Sequence, residues 1–495
     1  MATWERFTID PRTPCIVGVG TRTWHSSDAP APEPLEMWED VARSAAADSG
    51  GTGVLERVES LDVVYCQTTQ YDDPPARLAD RLVIEPGRAA YSGIGGTVPQ
   101  ELVSAAATRM LAGELDVALI VGGEALATKR RLKQAGERPT YSYRPADKPP
   151  FPWEAPFHPA EVAHEVFQAW LTFAVFDNAR RARLGFGLEE YRRVLGELWA
   201  PFSAVAALHP DAWFPVARSV DEIVEPTAEN RMVGYPYTKY MVSVMDVDMA
   251  AALLLTTHRG AEAMNVPSDR RVYLRAATYA EDPVYVAEHD EMWRSPAMQA
   301  AGEHALATLG VGIDEIAHLD IYSCFGSSVL FASDALGIAV DDPRELTVTG
   351  GLPYHGGPGS NYLAHSIAAM VRALRGDPGT LGLVSGVGMH MTKHAYAIYS
   401  TEPGSVTPPE TVRSDQPVRS ILDTAEGEAT VAAYSVVHGR DGAPEWGLAV
   451  CDLPGGARCY ARFDDPAQML RAEVDELVGT SITLSTDGTV NTMRS

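Results

Sequence analysis

A histidine set among glycines and prolines is the first place in this 495-residue chain where chemistry could reside. It stands in Gly350-Gly-Leu-Pro-Tyr-His355-Gly-Gly-Pro-Gly-Ser360-Asn361, just ahead of a helical pattern. There an imidazole N–H can donate to a developing oxyanion, or the ring can take a proton. The plainer alternative is a loop histidine satisfied by its neighbours. Gly93-Ile-Gly-Gly96-Thr-Val-Pro-Gln100 is a second candidate. Its glycines let a ligand approach the backbone, and the helix that follows favours negative charge at its N-terminus. The competing reading is a tight strand-to-helix turn with no ligand. Ser323 and Cys324 lie at a strand end in Ile321-Tyr-Ser-Cys-Phe-Gly326. A free cysteine becomes a nucleophile only where a histidine or helix N-terminus lowers its pKa, and is otherwise an inert core residue. The last turn is Val384-Ser385-Gly386-Val-Gly388-Met-His390-Met-Thr-Lys-His394. In a strand-like context two histidines four apart need not share a side, so no metal site is expected.

Composition narrows the partners. Lys plus Arg number 40 against 66 Asp plus Glu, a net charge of −26, which repels phosphate backbones and argues against a nucleic-acid binder. An acidic ligand would need a local basic patch. The densest is Lys129, Arg130, Arg131 and Lys133, which could meet phosphates or form a solvated loop. The 45% hydrophobic and 21% charged fractions exclude wholesale disorder. Five cysteines, at 15, 66, 324, 451 and 459, form no Cys-x-x-Cys pair. That predicts neither zinc nor a disulfide framework and suggests a reducing, cytoplasmic setting. The N-terminus lacks the pattern of a signal peptide, and the apolar run Met249 to Leu255 is too short to span a bilayer, so membrane insertion is not expected.

The elements that must position these turns alternate in type. Strand patterns at Cys15–Gly20, Leu61–Cys66, Arg88–Gly96 (running into its glycine turn) and Leu115–Gly123 interleave with helical patterns at 35–49 and 98–111. The alternation resumes at Arg271: strands at 272–276, 316–322, 346–351 and 381–385, helices at 296–309, 327–336 and 361–375. Such alternation indicates βαβ units. Strand, glycine turn, helix, glycine stop and strand recur in both halves, a duplication that places a site where the halves meet. Between 128 and 240 the texture changes to prolines, aromatics and two helical stretches, 160–181 and 188–206. This reads as an insertion that folds down its Phe151, Trp153, Phe157, Phe167, Trp170 and Phe173. Past a Pro-rich linker at 404–415, short alternating strands with an Asp441-Gly442 turn predict a separate small β-barrel over 416–495.

In that order of motifs the chain resembles the thiolase superfamily, especially the sterol-carrier-protein thiolase branch, over roughly Pro14 to Thr401. The resemblance implies an α/β duplicated thiolase fold of αβαβα layers. Its halves would span 1–270, with the insertion about 128–240 as a loop domain over a coenzyme A site, and 271–403. The C-terminal barrel resembles the OB-like domains that accompany some thiolases. Thiolases use a nucleophilic cysteine at a buried helix N-terminus and a second in a late Cys-x-Gly turn. The resemblance puts Gly96 at the first position and Gly386, followed by Gly388, at the second. It assigns His355 to the oxygen-binding Gly-His-Pro turn and Cys324 to the His-Asp-Cys-Phe motif, with Tyr322 and Ser323 in place of its His and Asp. The resemblance further implies a CoA thioester as substrate or ligand and allows a homodimer.

Two functions stay open. One is an acyltransferase of the acetyl-CoA acetyltransferase kind, with His355 polarising the carbonyl and Cys324 or Ser385 as nucleophile or base. The other is a non-catalytic acyl-CoA-binding or partner protein of lipid metabolism. Glycine at Gly96 and Gly386 predicts that two-cysteine thiolysis is absent or very slow. If thioesters are handled, His355 is expected near Gly96 and Ser323–Cys324, with CoA phosphates near Lys129, Arg130, Arg131 or Lys133.

Overall fold

One strand order, used twice, builds the main sheet. The computed structural model describes residues 9–25, 30–147, 157–405 and 407–494. The first half runs β1 (Pro14–Thr23), α1 (Pro34–Asp48), β2 (Ser60–Val63), α2 (Pro74–Leu82), β3 (Arg88–Tyr91), α3 (Val98–Ala112) and β4 (Val117–Ala125). The insertion follows as α4 (Leu126–Gln134), α5 (Pro159–Ala163), α6 (Ala169–Leu184), α7 (Leu188–Leu208), α8 (Val220–Val224), β5 (Met232–Gly234) and β6 (Tyr237–Thr238). Strand β7 (Asp248–Thr257) and helix α9 (His258–Ala263) close the half. The second half runs β8 (Val272–Glu281), α10 (Pro296–Leu309), β9 (Ile316–Asp320), α11 (Gly326–Leu336), α12 (Tyr362–Gly376), β10 (Leu381–Gly388) and β11 (Lys393–Ser400).

The sheet order is β3-β2-β4-β7-β1-β8-β11-β10-β9. In each half a parallel pair (β2 with β4, β9 with β10) is followed by two antiparallel neighbours. In the sheet the halves pair at Cys15↔Tyr273 and Ile16↔Val272. Helices α3 and α12 share one buried layer with β1, β4, β7, β10 and β11, through residues such as Val103, Met110, Ile367 and Met370. Helices α1 and α2 cover the outer face of the first half, and α10 and α11 that of the second. Five layers result.

Local chemistry sets the ends. Ser295 caps α10 by accepting the Met298 N–H, Pro296 follows, and Gly310 ends the helix in the left-handed region. One expected strand, 346–351, does not form. Gly350 and Gly351 adopt φ of +96° and +77°, and Leu346 contributes a single carbonyl bond, to the Ile321 N–H. The second half therefore lacks the counterpart of β3.

The barrel comprises β13 (Gly427–His438), β14 (Pro444–Asp452), β15 (Arg458–Phe463), α13 (Pro466–Ala472), β16 (Ser481–Thr486) and β17 (Asn491–Arg494), preceded by β12 (Glu410–Thr411). Five strands close in the order β13-β14-β15-β17-β16. The barrel closes on itself and is also tied to the rest of the chain. Strand β5 of the insertion pairs with β13 at Gly234↔Val437, so the insertion does enter a sheet. Buried Arg458 donates to the Ala287, His289 and Asp290 carbonyls, and Arg181 pairs with Glu476 at 2.6 Å. The linker is not free either: β12 pairs parallel with β8. Of the insertion's expected aromatics, Phe151 and Trp153 lie outside the described residues; Phe173 is buried and Phe167 exposed. No helix among the described residues is long and apolar enough to cross a membrane.

Candidate functional site

The N-terminus of α3 meets the exits of β9 and β10, so the turns of the two halves do come together. What fills the meeting point is protein. A Cβ built on Gly96 falls 2.1 Å from the Val387 carbonyl oxygen and 2.3 Å from the Tyr322 hydroxyl. Both are far inside contact distance, so the side chain that the thiolase resemblance puts here has no room. Tyr322, the residue in the place of a motif histidine, supplies the plug. Its ring is 5% exposed. Gly386 is less tightly closed, its Cβ position 2.7 Å from the flexible end of Leu363 at Cδ2, and that of Gly388 is 3.1 Å from Thr97 Oγ1.

His355 does not face Gly96. Tyr322 packs edge-on against Tyr362 at 5.5 Å between ring centroids, and Tyr362 meets His355 at 6.1 Å. Two tyrosine rings in series thus separate the histidine from the glycine turn. Its own neighbours are His209, with ring centroids 4.8 Å apart, and His365, whose Nδ1 is 3.5 Å from His355 Nε2. Burial, with the adjacent imidazoles, holds His355 well below the usual histidine range, so its ring is neutral. Read by its proline, the Gly-His-Pro turn falls on Gly356-Gly357-Pro358, with glycine at the histidine position.

The other candidates are occupied with structure. Ser385 Oγ accepts the Tyr322 N–H at 2.9 Å, and Ser323 Oγ accepts the Leu352 N–H at 3.2 Å. Burial pushes the Cys324 thiol up to about 12, so it is not a thiolate at neutral pH. His390 Nδ1 meets Thr172 Oγ1 at 2.8 Å, and His394 Nε2 meets Asp282 at 2.8 Å. Among the described residues no group of three or more His, Cys, Asp or Glu could hold a metal ion. In the basic run, Lys129 Nζ donates to the Thr68 carbonyl at 2.6 Å. Arg130 pairs with Asp246, and Arg131 Nη2 donates to Thr128 Oγ1 at 2.8 Å. Lys133 is exposed.

Helix α7 packs against three further glycines. The Cβ position of Gly350 lies 2.4 Å from Ala206 Cβ, that of Gly351 2.6 Å from Phe202 Cδ1, and that of Gly326 2.5 Å from Leu195 Cδ2. At these three positions a packed helix stands where a side chain would be. Asp177 on α6 anchors this packing. Its buried carboxyl accepts from Tyr191 Oη at 2.6 Å, from Tyr237 Oη, and from the Ser327 N–H at 2.7 Å at the start of α11. The helical pattern at 188–206 and the place of Tyr322 in the motif were visible in the sequence; the role of Asp177 and the packing of α7 against the turns were not. The signal present was Tyr322 itself, a bulky aromatic where the thiolase resemblance has a histidine.

Behind the plug, burial raises the Asp320 carboxyl to about 7. Hydrogen bonds from the Thr349, Ser366 and Thr347 side chains and the Val348 backbone offset that burial only in part. Because its folded value lies above the unfolded one, the neutral form supports the fold at low pH, and that support is lost as pH rises from about 4 to about 7. Moving from 3.8 to about 7 corresponds to roughly 4 kcal/mol. Asp320→Asn is therefore expected to stabilise the protein by up to that amount above about pH 8 and hardly at all near pH 4, as read by urea unfolding at both pH values. An equal effect at both would reject the assignment.

Comparison with known proteins follows this geometry. The model of the thiolase-like protein type 1 additional C-terminal domain matches residues 409–489. The crystal structure of a monomeric SCP2-thiolase like protein type 1 from Mycobacterium smegmatis is 32% identical, with a TM-score of 0.83 over 98% of this chain and 100% of that one. The chain belongs to the SCP2-thiolase like protein type 1 family. More distant thiolase folds agree in architecture. The Ltp2-ChsH2(DUF35) aldolase is 18% identical, with a TM-score of 0.59 over 79% of this chain and 98% of that one. The dimeric peroxisomal thiolase of Saccharomyces cerevisiae is 14% identical, with a TM-score of 0.55 over 80% and 99%. A search of curated proteins returns no match.

Proposed function

We propose that this chain is a non-catalytic thiolase-fold protein that acts by binding, as a ligand carrier or partner protein, and not by Claisen chemistry. The observation that carries the reading is the Tyr322 hydroxyl and Val387 carbonyl standing where a nucleophile on Gly96 would be. His355, turned toward two other histidines, supplies no oxyanion contact there. The acyltransferase alternative would need Cys324 or Ser385, and one is a buried neutral thiol while the other is bonded to the Tyr322 amide. Purified protein, free of host thiolase, should show neither acetoacetyl-CoA cleavage nor acetyl-CoA condensation above background; robust turnover would refute the reading.

The ligand carried over from the resemblance is a CoA thioester, held but not transferred. Of the 129–133 run, Lys133 is the exposed cation left for its phosphates, since Lys129, Arg130 and Arg131 already have protein partners. Lys133→Glu should weaken CoA binding more at low salt than at high salt, as measured by equilibrium dialysis. Binding unaffected by the reversal would reject this placement. The five cysteines are all free and buried, which supports a reducing, cytoplasmic setting. A monomer is the assembly this reading favours, because the 32% identical relative is monomeric.

A further inference from the structure

Three imidazoles not used by the reading above lie in series under the C-terminal end of α7. His209 packs edge-on against His355, and His355 reaches His365 on α12. His355 and His365 are each 1% exposed, and His365 Nε2 has no hydrogen-bond partner among the described residues. His209 Nδ1 accepts the Asp211 N–H at 3.2 Å, so its proton sits on Nε2. A cleft of about 450 Å³, lined by Thr21, His209, Asp211 and Arg372 among others, reaches the cluster from solvent.

The segment over the cluster is tied down by few bonds. Trp213 and Phe214 donate their N–H groups to the His355 and Tyr354 carbonyls, each at 2.9 Å. On β1, the Thr21 hydroxyl donates to Asp211 Oδ2 and the Thr23 hydroxyl to the Asp211 carbonyl, each at 2.6 Å. The charged and titratable groups facing the cluster come from every side. Asp211 favours a proton on the imidazoles, while Arg372, 3.5 Å from Asp211, opposes it. The Tyr362 ring lies on His355, with Asp320 beyond it, and His25 stacks on Trp213. For each of the three histidines burial is the largest influence and favours the neutral ring.

We propose that His209, His355 and His365 form an acid-operated latch, whose uncharged rings hold the segment from His209 to Phe214 closed and whose protonation releases it. The linkage has one sign. Closed, the rings resist protonation; open, each titrates near the ordinary value of about 6.5. Stability of the closed segment is thus full above that value and falls as pH drops below it. At about pH 5 each ring that titrates only when open favours opening roughly thirtyfold.

Hydrogen exchange on the full chain tests this. After correction for intrinsic rates, protection of the peptide carrying the Trp213 and Phe214 amides should fall at least about thirtyfold between about pH 7.5 and about pH 5, while the β4 and β7 amides stay protected. His209→Gln, at the half-buried end of the series, should shrink that fall. Protection independent of pH, or lost equally in β4 and β7, would overturn the latch. So would a variant with an undiminished fall. Should the variant not fold, the wild-type comparison decides by itself.

Discussion

Gly96→Cys is expected to give a less stable protein that still cleaves no thioester. Restoring the family's nucleophile by substitution alone drives a Cβ into the Val387 carbonyl and the Tyr322 hydroxyl. Overpacking of this kind costs about 1–3 kcal/mol, and more where a backbone atom must move. Urea unfolding of the variant should show that loss. Combining it with Tyr322→Phe should recover only part, because the carbonyl stays in place. Full recovery in the double variant would mean that the hydroxyl alone closes the site. Gain of thiolysis in either variant would mean that the pocket persists.

Asp177→Ala is expected to be more damaging still. The substitution strands three buried donors, the Tyr191 and Tyr237 hydroxyls and the Ser327 N–H, each worth about 1–3 kcal/mol when unsatisfied. Those donors belong to α7, β6 and α11, so the loss unpins the insertion from the second half. Asp177→Asn should cost much less. Burial already raises the carboxyl above its ordinary range, and an amide keeps one acceptor oxygen. Similar unfolding midpoints for the two variants would show that Asp177 is not the anchor.

Locally specified elements were legible in the sequence. Helix α10 begins and ends where Ser295-Pro296 and Gly310 put it, because caps act within a turn of the residues that make them. The repeat of strand, turn and helix was legible for the same reason, and it produces matching strand orders in the two halves. What lay beyond reading was long-range. A glycine in a sequence reports that a Cβ is unwelcome, not what excludes it. At Gly96 the excluder is Tyr322, and at Gly350 and Gly351 it is Ala206 and Phe202, all distant in the chain. His355 looked poised for the same reason: its turn was visible, but not the two tyrosine rings that separate it from Gly96. The barrel's attachment was hidden in Gly234↔Val437 and in the Arg458 bonds, none of which has a periodic signature.

The central claim is that no acyl group can be taken up at the meeting point of the halves. Intact-protein mass measurement after incubation with excess acetyl-CoA or acetoacetyl-CoA tests it most directly, because a covalent acyl-enzyme registers even when turnover is slow. An unchanged mass is expected, with and without a prior acid pulse to open the His209–Phe214 segment. A stoichiometric acyl adduct that maps to Cys324, Ser385 or Tyr322 would contradict it.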